Sequence, residues 1–280
     1  MKNYIKIYLD EFLLFKPRIF STILFIPFLY IVGWLLAQPL LFFNFEIENL
    51  SLIGTIFTFL IFIYLIPYWF NIRWNIKNIW EVLGITTNNL MRNIFYIIKG
   101  TLFSLILITL ILIPIFMGNY ITWIGEFSTA IFLNAFLLGV FIGFAEEIIF
   151  RAWFLEELKL QYGIKTAVVT QAIIFSFVHP VNNNIFWNIL GLRLGLFLLG
   201  IFLSLVRIKN KGSLWESIGI HGGLVGIWFF INHGLLKIAD NAPSFLSGPF
   251  AQNIPNPLGS FCAIIVLIFL CLTLRKNPII

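Results

Sequence analysis

The stretch TAIFLNAFLLGVFIGFAEEIIFR, residues 129–151, decides the fold. From Thr129 to Ala145 it carries no charge, and as a helix rising about 1.5 Å per residue it crosses most of a bilayer's apolar core. Two adjacent carboxylates and an arginine then follow directly. The rest of the chain has the same character. It has 280 residues, 60% of them hydrophobic and 11% charged, with a mean hydropathy of +0.98, where a soluble domain has roughly a quarter charged residues. A soluble globular enzyme is excluded. Disorder is excluded too, because 33 Phe, 9 Trp and 8 Tyr supply far more apolar surface than an unfolded polar segment carries.

Similar apolar runs lie near Ile19 to Gln38, Leu50 to Phe70, Thr101 to Met117, Ala167 to His179, Ile185 to Val206, Leu214 to Ile231 and Leu258 to Leu274. With the opening stretch they predict an all-α, polytopic membrane helix bundle of about eight transmembrane helices. Placing the amino terminus inside the cell puts every Lys and Arg except Arg193 and Lys237 on the cytoplasmic side. This asymmetry predicts that both termini are cytoplasmic, and it accounts for the net charge of +6 without any nucleic acid. The basic lead of Lys2, Lys6, Lys16 and Arg18 is too long for a usual secretory signal and reads as the flank of a retained span. Residues 1–128 are expected to hold amino-terminal helices and an interfacial segment, 129–232 a central group of helices, and 233–280 an irregular outer loop and the last helix. Within the first of these, Asn71 to Lys99 interleaves Trp74, Ile76, Trp80, Leu83 and Met91 with bases, a pattern that suits one interfacial amphipathic helix. Cys262 and Cys271 sit nine apart in the last run, so no disulfide framework or thiolate site is expected.

In a bilayer the informative residues are ionisable groups within apolar sequence, since each costs several kcal/mol near the centre unless paired or hydrated. Glu147 and Arg151 are four apart and share a helix face, so they can pair. Glu146 points about 100° away and needs a partner on another span, a water-filled cavity or a proton of its own. His179 ends the apolar segment FSFVHP, residues 175–180. If the chain turns at Gln161-Tyr162-Gly163, Glu146 and His179 lie at nearly equal distances from the turn and reach the same depth in an antiparallel hairpin. His221 lies in the glycine-rich GIHGGLVG, residues 219–226, where small residues permit close helix packing. Arg193 is either half of an ion pair with a carboxylate or a ligand for a substrate carbonyl or carboxylate. Gly191 and Gly195 read as a helix packing seam, and His233 as interfacial. Ser176 has no second feature that recommends it as a nucleophile.

Three separated elements, Glu146-Glu147 with Arg151, Phe175 with His179, and His221 in its glycine-rich helix, together resemble the motif set of the CPBP intramembrane proteases. That family comprises the CAAX prenyl endopeptidases and Abi-type bacteriocin-processing or immunity proteins. The resemblance covers roughly Gly139 to Phe230 and implies that residues 129–232 form a catalytic core. It implies that Glu146 activates water, that Glu147 and Arg151 complete the first motif, and that His179 and His221 help bind the water or a metal and stabilise the oxyanion. Where the family often has Asn or another polar residue four after the third motif's histidine, this chain has Val225. His179, His221 and Glu146 could hold zinc with a fourth position open, or could act without a metal. The implied partners are the lipid bilayer and a protein or peptide substrate, and the implied location is a bacterial cell membrane. A non-catalytic scaffold or immunity protein of the same family, and a transporter using the buried charges as a relay, are the alternatives.

Overall fold

The computed structural model describes residues 19–43, 45–86, 89–181, 185–251 and 254–275. The basic lead Lys2, Lys6, Lys16 and Arg18, Lys276 and both termini lie outside the described residues. The protein is a polytopic helical bundle, 81% helical. Among the described residues six helices are long and apolar enough to cross a membrane, and two shorter apolar helices, Ile164–Val178 and Phe261–Arg275, accompany them. Burial is inverted relative to a soluble protein: Phe132, Phe136 and Phe141 are exposed, whereas Glu147, Arg151, Glu157 and Gln171 are sealed inside. Outward apolar and inward polar side chains are what a hydrocarbon solvent selects.

Contacts divide the chain into two compact units, Met1–Val82 and Leu83–Ile280. In the first, α1 (Ile19–Ala37) pairs with α2 (Ile47–Trp74), and a short α3 follows at Ile79–Val82. Close approach of α1 and α2 requires glycine, since a Cβ on Gly33 would meet Gly54 O at 2.5 Å. Phe25 stacks near Trp69 with centroids 4.3 Å apart, and Arg73 lies 4.4 Å over the same indole while donating to Ser21 Oγ. The single amphipathic helix expected over Asn71 to Lys99 does not form. Asn75 takes a left-handed φ of 55° and caps α2, and the next long helix starts only at Leu90.

The second unit contains the remaining helices. α4 (Leu90–Met117) is capped by Asn89 Oδ1, which accepts from Arg92 N. α5 (Thr129–Glu147) is capped by Ser128 Oγ, which accepts from Ile131 N. α5 runs through an i→i+5 bonded π turn, Ile148–Phe154, into α6 (Leu155–Tyr162), so the rod extends well past the apolar stretch. Gly163, with φ +81°, reverses the chain into α7 (Ile164–Val178). α8 (Phe186–Lys209), α9 (Trp215–Phe230) and α11 (Phe261–Arg275) complete the set. The short α10 (Ser244–Ser247) lies between α9 and α11, and two small antiparallel strand pairs complete the unit, the first joining the α4–α5 connection to the segment after α9. β1 (Ile121–Trp123) pairs with β2 (Leu236–Ile238), and β3 (Phe250–Ala251) with β4 (Ile254–Pro255). The Gly191 and Gly195 seam receives a single 3₁₀ turn, Pro257–Gly259, rather than a long helix. It faces the backbone carbonyls of Gly259 and Leu258, in the turn before α11.

α9 is the central element, wedged between α4 and α5. A Cβ on Gly222 would fall 2.4 Å from Gly139 O, one on Gly226 2.6 Å from Ala135 O, and one on Gly219 2.4 Å from Ile97 O. Helix backbones touch here with nothing between them, as small residues at membrane helix interfaces allow. Because the clash would be with backbone, no flexible side chain can yield. Gly222→Ala is therefore expected to destabilise the bundle by roughly 1–3 kcal/mol, the usual cost of overpacking. Unfolding temperature in detergent measures this, and an unchanged midpoint would contradict the contact.

Candidate active site

The five residues singled out in the sequence converge from three helices. Glu146 and Glu147 end α5, Arg151 sits in the π turn, His179 follows the last turn of α7, and His221 lies in the first half of α9. The hairpin at Gly163 brings His179 level with Glu146, and Nε2 stands 3.3 Å from Glu146 Oε2. The glycine contacts that press α9 against α5 bring His221 Nε2 to 3.7 Å from the same oxygen. Adjacent carboxylates are thereby sent to different partners, as helical phase requires.

Glu147 is fully buried, and its Oε1 accepts from Arg151 Nη1 and from His221 Nδ1, each at 2.9 Å. Arg151 is equally buried and lies 3.9 Å over the Phe175 ring, so its charge is met by a carboxylate on one side and a π face on the other. Phe175 is the hub of the site. Its ring meets that of His179 edge-on at 4.5 Å, that of His221 at 5.9 Å and that of Phe150 at 5.1 Å.

Proton placement follows from the partners. His179 Nδ1 lies 2.7 Å from Phe175 O, and a carbonyl can only accept, so Nδ1 carries the hydrogen. His221 Nδ1 faces a carboxylate oxygen already held by Arg151, so it donates as well. In the neutral imidazoles both Nε2 atoms then present lone pairs. They converge on Glu146 Oε2, which is buried and has no hydrogen-bond donor among the described residues. Three acceptors facing one another repel unless hydrogen is supplied between them. A water molecule, with two O–H donors, meets that need, as does a proton. The side chains as they stand form no group of three or more His, Cys, Asp and Glu set to hold a metal ion among the described residues.

Other sequence readings meet different outcomes. Arg193 pairs with no carboxylate among the described residues; its Nη1 donates to Ser176 O and to His179 O, the latter at 2.8 Å. The exposed His233 stacks on Phe229 with centroids 3.9 Å apart and donates to Phe229 O, away from the cluster. Val225 is one turn beyond His221. Two supporting residues escape sequence reasoning altogether. Arg207, from α8, donates to Arg151 O at 2.6 Å, accommodating a carbonyl of the π turn, and faces Glu156 at 3.5 Å. Lys99, from α4, holds Glu216 of α9 at 2.9 Å. Both read in the sequence as cytoplasmic loop bases.

A membrane-embedded bundle with a carboxylate and two imidazoles facing one another across three helices defines a class, the polytopic membrane proteins that carry a buried acid–base site. Residues 127–227 match the family described as type II CAAX prenyl endopeptidase Rce1-like, and Glu146, Glu147, Arg151, His179 and His221 all lie within the matched segment. Residues 3–78 match a domain of unknown function, DUF8676, nearly the span of the first compact unit. No curated protein and no solved structure matches the chain.

Removing one partner of a buried ion pair leaves a charge without compensation. Arg151→Ala is expected to cost about 3–5 kcal/mol. The combined change Glu147→Gln with Arg151→Met should recover much of that stability, because no charge is then stranded. A double variant no more stable than Arg151→Ala in detergent unfolding would show that the pair is not the source.

Proposed function

We propose that the protein is an intramembrane endopeptidase that hydrolyses a peptide bond of a membrane-associated protein or peptide, with water as the nucleophile and Glu146 as its base. The observation that carries this reading is the convergence of three acceptors, Glu146 Oε2 and the two Nε2 atoms, at 3.3 and 3.7 Å. Water held there donates one hydrogen to Glu146 and keeps a lone pair for a substrate carbonyl carbon. As the oxygen–carbon bond forms, Glu146 takes the proton, and the carbonyl oxygen gains the negative charge. Glu146 then passes the proton to the amine nitrogen, the carbon–nitrogen bond breaks, and the carboxyl and amine products leave.

The developing oxyanion needs donors. Val225 offers none, and neutral His179 has only a lone pair at Nε2, so the donor is His221. His221 donates from Nε2 once it has taken a proton from solvent; the water's two hydrogens then go to Glu146 and His179 Nε2, and Glu147 accepts from His221 Nδ1–H as a carboxylate does behind a catalytic histidine elsewhere. Arg151 Nη1 donates to the same Glu147 oxygen and balances the carboxylate's charge. An apolar groove of about 440 Å³ is lined in part by Phe136, Gly139, Val140, Phe144, Ile218 and Gly222. Its lining suits the apolar flank of a peptide in a bilayer. Eight spans, both termini on the cytoplasmic side and a bacterial cell membrane complete the setting proposed.

Glu146→Gln and His179→Ala are each expected to lower cleavage of a membrane-tethered reporter by roughly 10²–10⁴-fold, the usual worth of a positioned acid–base group, with folding retained. Wild-type cleavage by both variants would sink the assignment. A zinc ion on His179, His221 and Glu146 is the competing proposal for activating the same water. Metal analysis of the purified protein decides between them: with the base acting alone, zinc is substoichiometric and cleavage survives chelation.

A further inference from the structure

We propose that Arg193 is a positioning residue for His179, acting through the end of α7. The kinetic part of the proposal rests on the hydrolytic reading above. α7 stops at Val178, and His179 leaves the helix with φ −76° and ψ 127°. The last carbonyls of any helix lack donors from its own backbone. Here Pro180 sharpens the shortage. In a continued helix the N–H of residue 180 would serve Ser176 O, and proline has none. Arg193 Nη1, reaching from α8, supplies that hydrogen and donates a second one to His179 O at 2.8 Å.

One guanidinium nitrogen thus ties the last helical turn to the first residue beyond it. Ser176 Oγ returns a bond to Arg193 O at 2.8 Å, and the guanidinium lies 5.2 Å over the Phe177 ring. The arginine is held from two sides as firmly as it holds. The aim of the His179 imidazole depends on two restraints. Its Nδ1 is anchored on Phe175 O, and its Cα, outside the helical ladder, is anchored through its own carbonyl by Arg193. With the second restraint gone, the ring can pivot about the first, and Nε2 leaves the line to Glu146. A misplacement of about 1 Å at reacting groups costs on the order of 10²-fold in rate. This also accounts for a cation in an apolar helix without a carboxylate partner among the described residues: its partners are two backbone oxygens that the fold leaves without donors. A planar guanidinium suits the task better than an ammonium, whose hydrogens are not fixed in direction.

The test compares the full-length protein with Arg193→Gln and Arg193→Lys variants in lipid nanodiscs. On a tethered peptide reporter, Arg193→Gln is expected to lower kcat by roughly 10–100-fold with KM within about twofold of wild type, and Arg193→Lys to fall between the two. A second readout needs no turnover: the ¹⁵N signals of the imidazoles. In Arg193→Gln the His179 Nδ1 signal should move away from its hydrogen-bonded position, while the His221 signals stay. This arm separates failure of the positioning from failure of the hydrolytic reading. A raised KM with wild-type kcat would place Arg193 on the substrate and overturn the proposal, and so would an unchanged His179 signal. Should Arg193→Gln not fold, wild-type kcat and an unmoved His179 signal in Arg193→Lys would overturn it equally.

Discussion

An ionised carboxylate sealed among apolar side chains must be paired, and the arrangement of this protein follows from how Glu147 is paired. One of its oxygens accepts from both Arg151 and His221 at 2.9 Å. The first bond is local to one helical rod, while the second crosses to α9 and ties the glycine-rich helix to the acidic end of α5. Breaking either would strand charge in a medium where desolvation costs several kcal/mol per ion. The network is thus both a structural clamp and the base on which His221 stands.

The clamp works only because the helices can meet. Gly139, Gly143, Gly222 and Gly226 let the α5 and α9 backbones touch, and Gly100, Gly219 and Gly223 do the same for α4 and α9. In hydrocarbon there is little hydrophobic drive between helices, so contact of this kind supplies much of their association. Backbone contact also fixes rotation and depth, and so decides which residue of α9 faces the carboxylates. The polar pairs around the site continue the theme. Arg207 serves a carbonyl of the π turn, Arg193 serves the end of α7, and Gln171 Nε2 serves Gly200 O and Ser204 Oγ. Each is a side chain meeting a polar group that the surrounding lipid could not satisfy.

Much of the site was legible because charge in an apolar run is rare and costly. Glu146, Glu147, Arg151, His179 and His221 stand out for that reason, and helical phase alone separates the tasks of the two acids. Equal spacing about Gly163 set the depth of His179 opposite Glu146. The errors have equally physical origins. An interfacial helix over Asn71 to Lys99 satisfied the amphipathic pattern, yet Asn75 in a left-handed conformation ended α2 first. Arg193 suggested a carboxylate or a substrate because a lone cation calls for an anion. Its actual partners are backbone oxygens, which carry no mark in a sequence.

By itself the sequence determined that the chain is a membrane helical bundle, which groups are too polar for their surroundings, and that Glu147 and Arg151 share a face, since hydropathy and helical period are local properties. Only the tertiary structure decided that His221 stands on Glu147, that both Nε2 atoms stand opposite Glu146 Oε2, and that Arg193 meets the end of α7. Those outcomes depend on the approach and rotation of helices far apart in the chain, set by backbone contact at glycines and by hydrogen bonds that no local pattern encodes.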